Sequence, residues 1–181
     1  SDTSIKLTVG SAVLGNMFWT GAGLPGPTGT TQWNTVDGSS NGVNWSTDKA
    51  GTTVSTTVPG AGTTVVFQAN SATVSPLATT LEQSFRVNNL IIEPATVNPT
   101  ALTIAPGAVA TNRLTIQPAT ATDGIELKTG ATPLVTISAP FTAGSAQTWT
   151  VADAFTLTNA NYATASTAIS VASTAGLFAG M

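Results

Sequence analysis

Three stretches of the chain repeat one short pattern at one spacing. Leu90-Ile91-Ile92-Glu93-Pro94, Leu102-Thr103-Ile104-Ala105-Pro106 and Leu114-Thr115-Ile116-Gln117-Pro118 each start twelve residues after the last. In an extended chain the first and third side chains point to the same side, so Leu and Ile face a core and the residue between them faces out. Proline at the fifth position has no N–H to give to a ladder and ends the strand. A unit this short cannot bury its apolar side alone, so copies must pack on one another. The repeat is of a strand rather than a site, which points to a protein built as a shape.

The same character continues on either side with a looser period. Thr63-Thr64-Val65-Val66-Phe67 and a short Ala72-Thr73-Val74 precede the repeat, with Phe85 and Val87 leading into it. Ile125-Glu126-Leu127, Leu134-Val135-Thr136-Ile137, Thr148-Trp149-Thr150-Val151, Phe155-Thr156-Leu157 and Ala168-Ile169-Ser170-Val171 follow. Gly, Pro or Asn separates most of them, and Asn88-Asn89 suits a tight corner because Asn tolerates left-handed backbone. Helical periodicity is nearly absent. Even the Ala-rich stretch 160–181 carries the Thr, Val and Ile that favour strands.

Two all-β architectures accommodate this pattern. One is a β-solenoid, specifically a right-handed parallel β-helix; the other is an antiparallel β-sandwich. The similarity of the units favours the β-helix. Twelve residues cover one face and one corner, so a full turn is expected to take about two units. Residues 1–62 read as an N-terminal strand and a Trp-rich cap, and residues 63–181 as rungs. The chain starts at Ser1 with no signal peptide, so a processed or excised segment is expected. The stretch 167–181 resembles the first half of a repeat of long bacterial surface fibres, which implies more strand after Met181.

Charge narrows the partners. Only 7% of the 181 residues are Asp, Glu, Lys or Arg, against about 25% in an average soluble protein. Such a surface opposes close packing weakly, so further copies of the chain are expected partners. The five cations are scattered and the net charge is −3, which argues against nucleic acid. No apolar run approaches the roughly 20 residues of a membrane-spanning helix. The absence of Cys removes disulfides, and the absence of His removes the commonest general base and metal ligand.

Candidate sites are few. Ile5, Leu7 and Val9 alternate with polar residues and form a candidate assembly strand, of the kind that can be donated to a neighbour's sheet edge. Trp19, Trp33 and Trp45 hold three of the four Trp residues within a short span. They suit either stacking on a glycan or sealing the open end of a solenoid, where uncovered core would meet water. Asp123, Glu126 and Lys128 form the tightest charged group; two carboxylates facing one bond would suit glycoside hydrolysis, but a solvated strand edge explains them more simply. Asp37 and Asp48 lie in Gly/Asn-rich loops that could hold calcium. The pairs Thr148/Thr150 and Thr156/Thr158 resemble the threonine arrays of ice-binding solenoids, though not on every rung. Asn44-Trp45-Ser46 is a glycosylation sequon. No catalytic, cofactor-binding or metal-binding set is expected.

Phe18-Trp19-Thr20-Gly21, Gln32-Trp33-Asn34-Thr35, Asn44-Trp45-Ser46-Thr47-Asp48 and Thr64-Val65-Val66-Phe67 together resemble the opening of autotransporter-associated β-strand repeat proteins. Leu102-Thr103-Ile104-Ala105-Pro106-Gly107-Ala108 and Gln147-Thr148-Trp149-Thr150-Val151-Ala152-Asp153 are similar to their rungs. The resemblance covers roughly residues 19–157, and the strand at residues 5–9 departs from it. It implies a large bacterial protein displayed at the cell surface or outside the cell; it does not imply an enzyme, and no catalytic residues carry over from it. The expected function is that of a structural segment of an extracellular filament, surface layer or adhesin, self-associating through strand edges or end rungs. The alternatives are a carbohydrate-binding module that uses the Trp cluster on cell-surface or matrix glycans, and a polysaccharide-acting β-helix enzyme.

Overall fold

The computed structural model describes residues 15–21, 31–34, 44–67, 77–94, 101–131, 134–151, 154–157 and 169–171. Two strands open the fold, β1 (Asn16–Trp19) and β2 (Trp45–Ser46). The rest come in sets. β3 (Thr64–Phe67), β4 (Leu77–Thr80) and β5 (Phe85–Val87) make the first. β6 (Asn89–Ile92), β7 (Leu102–Ala105) and β8 (Leu114–Ile116) make the second. β9 (Gly124–Leu127), β10 (Leu134–Ile137) and β11 (Phe141–Ala143) make the third. β12 (Gln147–Val151), β13 (Ala154–Leu157) and β14 (Ile169–Val171) close the described chain.

These strands form three sheets. The first is seven-stranded in the order β14-β12-β9-β6-β3-β1-β2, the second four-stranded in the order β13-β10-β7-β4, and the third three-stranded in the order β11-β8-β5. From β3 to β13 the chain visits first, second and third sheet in strict rotation. Each strand therefore pairs in parallel with the corresponding strand of the next set, not with its neighbour in sequence. The register runs in columns: Met17, Val65, Leu90, Ile125, Trp149 and Val171 in the first sheet, Leu77, Leu102, Val135 and Phe155 in the second, and Phe85, Leu114 and Phe141 in the third.

The three copies of the twelve-residue unit fall one to a sheet, as β6, β7 and β8. The unit is thus a face, as its length suggests, but a cycle takes three faces and not about two. The antiparallel sandwich is excluded by the pairing: among the described strands only β1–β2 runs antiparallel, with one antiparallel bridge, Ser46–Val54, beside it. Consecutive strands that move to different sheets leave no hairpins from which a sandwich could be made.

Alternation works as the repeat requires. Leu90, Ile92, Leu102, Ile104, Leu114 and Ile116 are buried while Ile91, Thr103 and Thr115 between them are half-exposed. Side chains from all three sheets belong to one hydrophobic cluster, which the three sheets share as a core. At about 25 cal/mol per Å² each such Leu or Ile contributes on the order of 1.5–3 kcal/mol. Among the described residues no helix is long and apolar enough to cross a membrane.

Corners are tied by side chains reaching across to the next layer. Asn88 turns the chain between β5 and β6, but its backbone is not left-handed. Its Oδ1 accepts from the Ala119 amide at 2.8 Å, and its own amide donates to Thr63 O at 2.8 Å. The left-handed corner residue is instead Glu82, with φ 59°, whose carboxylate accepts from the Ala108 amide at 3.0 Å. In the connection after β7, Gly107 has φ 87°, a left-handed backbone that favours glycine, and the carboxylate end of Glu82 lies where a Cβ would be added.

Candidate functional site

The three N-terminal Trp residues lie together, beyond the first complete set of strands. Trp19 ends β1, which extends the first sheet past β3. Trp45 faces it across the antiparallel pair. Trp33 reaches the second sheet: Gln32 bridges to Thr80 in parallel, the Trp33 amide donates to Thr80 O, and the Thr80 amide donates to Thr31 O, both at 2.8 Å. The edge of β4 is thereby occupied.

The rings meet edge to face. Trp19 and Trp45 have centroids 4.9 Å apart, Trp33 and Trp45 5.2 Å. Beneath them lie Phe67 of the first sheet, 5.8 Å from Trp33, and Phe85 of the third, 5.4 Å from Trp33. All three indoles are 0% exposed, so none presents a ring face to a sugar. Trp45 Nε1 donates to Trp33 O at 3.0 Å, and Trp33 Nε1 to Thr79 Oγ1 at 3.1 Å. Trp19 Nε1 has no partner.

Asp48 lies in the turn that follows β2 and points back into it. Its oxygens accept from Ser46 Oγ at 3.1 Å, from the Thr52 amide at 3.2 Å and from the Thr53 amide. Hydrogen bonding from Thr53 above all, and from Thr52 and Ser46, outweighs desolvation and holds its carboxyl far below the usual carboxylate range. The carboxylate is committed to its own turn, and among the described residues no group of three acidic, His or Cys side chains gathers as a metal would need. Asp37 lies outside the described residues.

The expected charged group does not converge. Asp123 accepts from Thr120 Oγ1 at 2.8 Å. Glu126 occupies an outward column between Ile91 and Thr150. Lys128 turns to Glu93, donating to Oε1 at 2.8 Å, while Lys49 pairs with Oε2. Burial pushes the Glu93 carboxyl up, but hydrogen bonds and charge from Lys128 and Lys49 bring it below its ordinary value. The Glu93 hydrogen bond raises Lys128, against a smaller lowering by desolvation. This cluster joins the turn after β2 to the ends of β6 and β9.

The other candidates resolve individually. Asn44 is 0% exposed and its amide donates to Gln32 O at 2.7 Å, so the sequon is inaccessible once the chain has folded. Thr148 stacks beside Gly124 and Ser170, and Thr150 beside Glu126, so they form no threonine rank. The register does make threonine columns, one through Thr103, Thr136 and Thr156, the last a candidate of the sequence, and one through Thr115 and Thr142. Ile5, Leu7, Val9 and Thr158 lie outside the described residues.

A feature the sequence did not single out is a groove of about 700 Å³ between the start of β1 and the stretch 53–63. Among the described residues its lining has no ionisable side chain. Asn16, Thr56 and Thr57 supply exposed polar groups, and Met17, Val54 and Val58 supply apolar ones. Its walls come from segments far apart in the chain with no periodic pattern, which is why sequence reading passes over it. Comparison with family models, with curated proteins and with solved structures finds no match.

Proposed function

We propose that the chain is a right-handed parallel β-helix with a Trp-rich N-terminal cap, and that it serves as a structural segment of an extracellular bacterial filament, surface layer or adhesin of the autotransporter-associated repeat kind. One observation carries this reading: successive strands rotate through three parallel sheets around one shared core. Such a stack has an open end that exposes core to water, and the three buried indoles sit where a cover is needed. Low charge supports close packing of copies on one another. No reacting group is required by this role, and among the described residues Asp48, Glu82, Glu93, Asp123 and Lys128 are engaged in turns and corners.

Imaging of the purified chain tests the assembly half of the reading. Rods, fibres or sheets are expected at high concentration and moderate salt. A field of isolated compact particles under all conditions would sink the filament role and leave the shape. A crystal structure with a left-handed or unclosed path would remove the fold.

A further inference from the structure

We infer that the groove beside β1 binds a neutral oligosaccharide. It is formed by pieces already held rigid. The Asp48 hydrogen bonds fix the turn between Thr47 and Thr53. Ser55 Oγ donates to Thr57 O at 2.7 Å and accepts from the Thr57 amide at 3.1 Å. Thr63 Oγ1 accepts from the Gly60 amide at 3.0 Å. A site ordered in advance loses little freedom on binding, and about 700 Å³ lies within the range of about 300–1,000 Å³ usual for small-ligand sites.

The lining selects the ligand class. A charged ligand would give up hydration with no ionisable side chain among the described lining residues to answer it. A purely apolar one would strip water from exposed Asn16, Thr56 and Thr57 without replacing their hydrogen bonds. A neutral polyol satisfies both sides: its hydroxyls exchange with the amide and threonine groups, and its C–H faces cover Met17, Val54 and Val58. This site is separate from the Trp cluster, whose rings are buried.

Gly60 provides the lever. It is exposed, its φ is not left-handed, and a Cβ added there meets nothing within 4 Å, so Gly60→Phe fills space along the groove wall without touching the core. The experiment is calorimetric titration of the full chain with β-1,4- and β-1,3-linked glucose hexasaccharides, with hexagalacturonate, and with a neutral Ser/Thr octapeptide. Binding of a neutral hexasaccharide, weakened at least tenfold by Gly60→Phe with circular dichroism and melting unchanged, is the expected result. Asn16→Ala, on an exposed side chain, weakens it a few-fold and serves as the reporter should Gly60→Phe misfold. Absence of binding by either neutral sugar at millimolar concentration overturns the proposal. So does equal binding of hexagalacturonate, preferential binding of the peptide, or undiminished affinity in the folded variants.

Discussion

The repeated middle of the molecule and its N-terminal end solve the same problem in different ways. From β6 to β10 the core is an aliphatic ladder, Leu and Ile stacked on Leu, Ile and Val in register, with few polar groups inside. Any layer there resembles the next, and each is covered on both sides by its neighbours. At the end, beyond β3 and β4, the described residues form no further complete set of strands to supply that cover. Three indoles fill the space, held edge to face, and two of them have a specific acceptor for their N–H. The difference teaches that a repeating core is stabilised by pattern, whereas its end is stabilised by particular side chains in particular places.

The largest test of that contrast removes one ring. Trp33→Ala is expected to cost about 3–5 kcal/mol in urea unfolding, because the ring touches Trp45, Phe67 and Phe85 together. Leu102→Ala in the ladder is expected to cost about 2–5 kcal/mol. A Trp33 loss well under that of Leu102 would mean that the end is not what holds the fold closed.

A narrower test concerns space. A Cβ on Gly124 would lie 2.6 Å from the carbonyl oxygen of Thr148 on the adjacent strand. Gly124→Ala should therefore force β9 and β12 apart, at a cost of about 1–3 kcal/mol, seen as lost amide protection along both strands. Unaltered protection would show that the ladder yields more easily than its register suggests.

Specific pairing at the end is probed by Thr79→Val. Its hydroxyl accepts from Trp33 Nε1 and donates to Thr103 O at 3.0 Å. The substitution keeps the shape, leaves a buried indole N–H unpaired and should cost about 1–3 kcal/mol. An equal melting temperature in the variant would reduce the end to mere packing.

Glu93→Gln is the smallest. Glu93 is 14% exposed, but Lys49 and Lys128 are 54% and 40% exposed, so solvent screens the cluster and about 1 kcal/mol or less is expected, falling further in high salt. Its pH dependence has a definite sign. The folded carboxyl lies below its ordinary 4.5, so the contribution is present above that value and is lost as pH falls through the lowered one. Lys128 is raised above 10.5, so its share is complete below that and disappears only as pH climbs through the raised value. Acid titration of melting temperature should show wild type and Glu93→Gln converging at low pH.

The ladder was legible in the sequence because the inward residues of β6, β7 and β8 are all Leu or Ile. β4 was not, and the reason is physical. Its inward Thr79 stands in the column of Ile104 and Ile137, so the apolar alternation is missing where the end needs an acceptor for an indole. β11 hides similarly, a three-residue Phe-Thr-Ala strand between Pro140 and Gly144. The number of faces was misjudged because residue spacing measures one face and its corner, while the number of sheets the chain visits before it returns to the first depends on corner angles that no local pattern encodes. The groove is still less visible, since its walls meet only after β1 and β3 have paired.

The register columns have a further consequence. Val65, Leu90, Ile125 and Trp149 are direct neighbours in one sheet, and neighbouring strands stand about 4.8 Å apart. Yet the stretches of chain between them are unequal, that from Leu90 to Ile125 being longer than those on either side. Strand separation is therefore independent of the length of chain between partners, and the extra residues lie in the connections between strands. On the proposed β-helical path, insertions in those connections should leave the length of each sheet unaltered, and only added strands extend it.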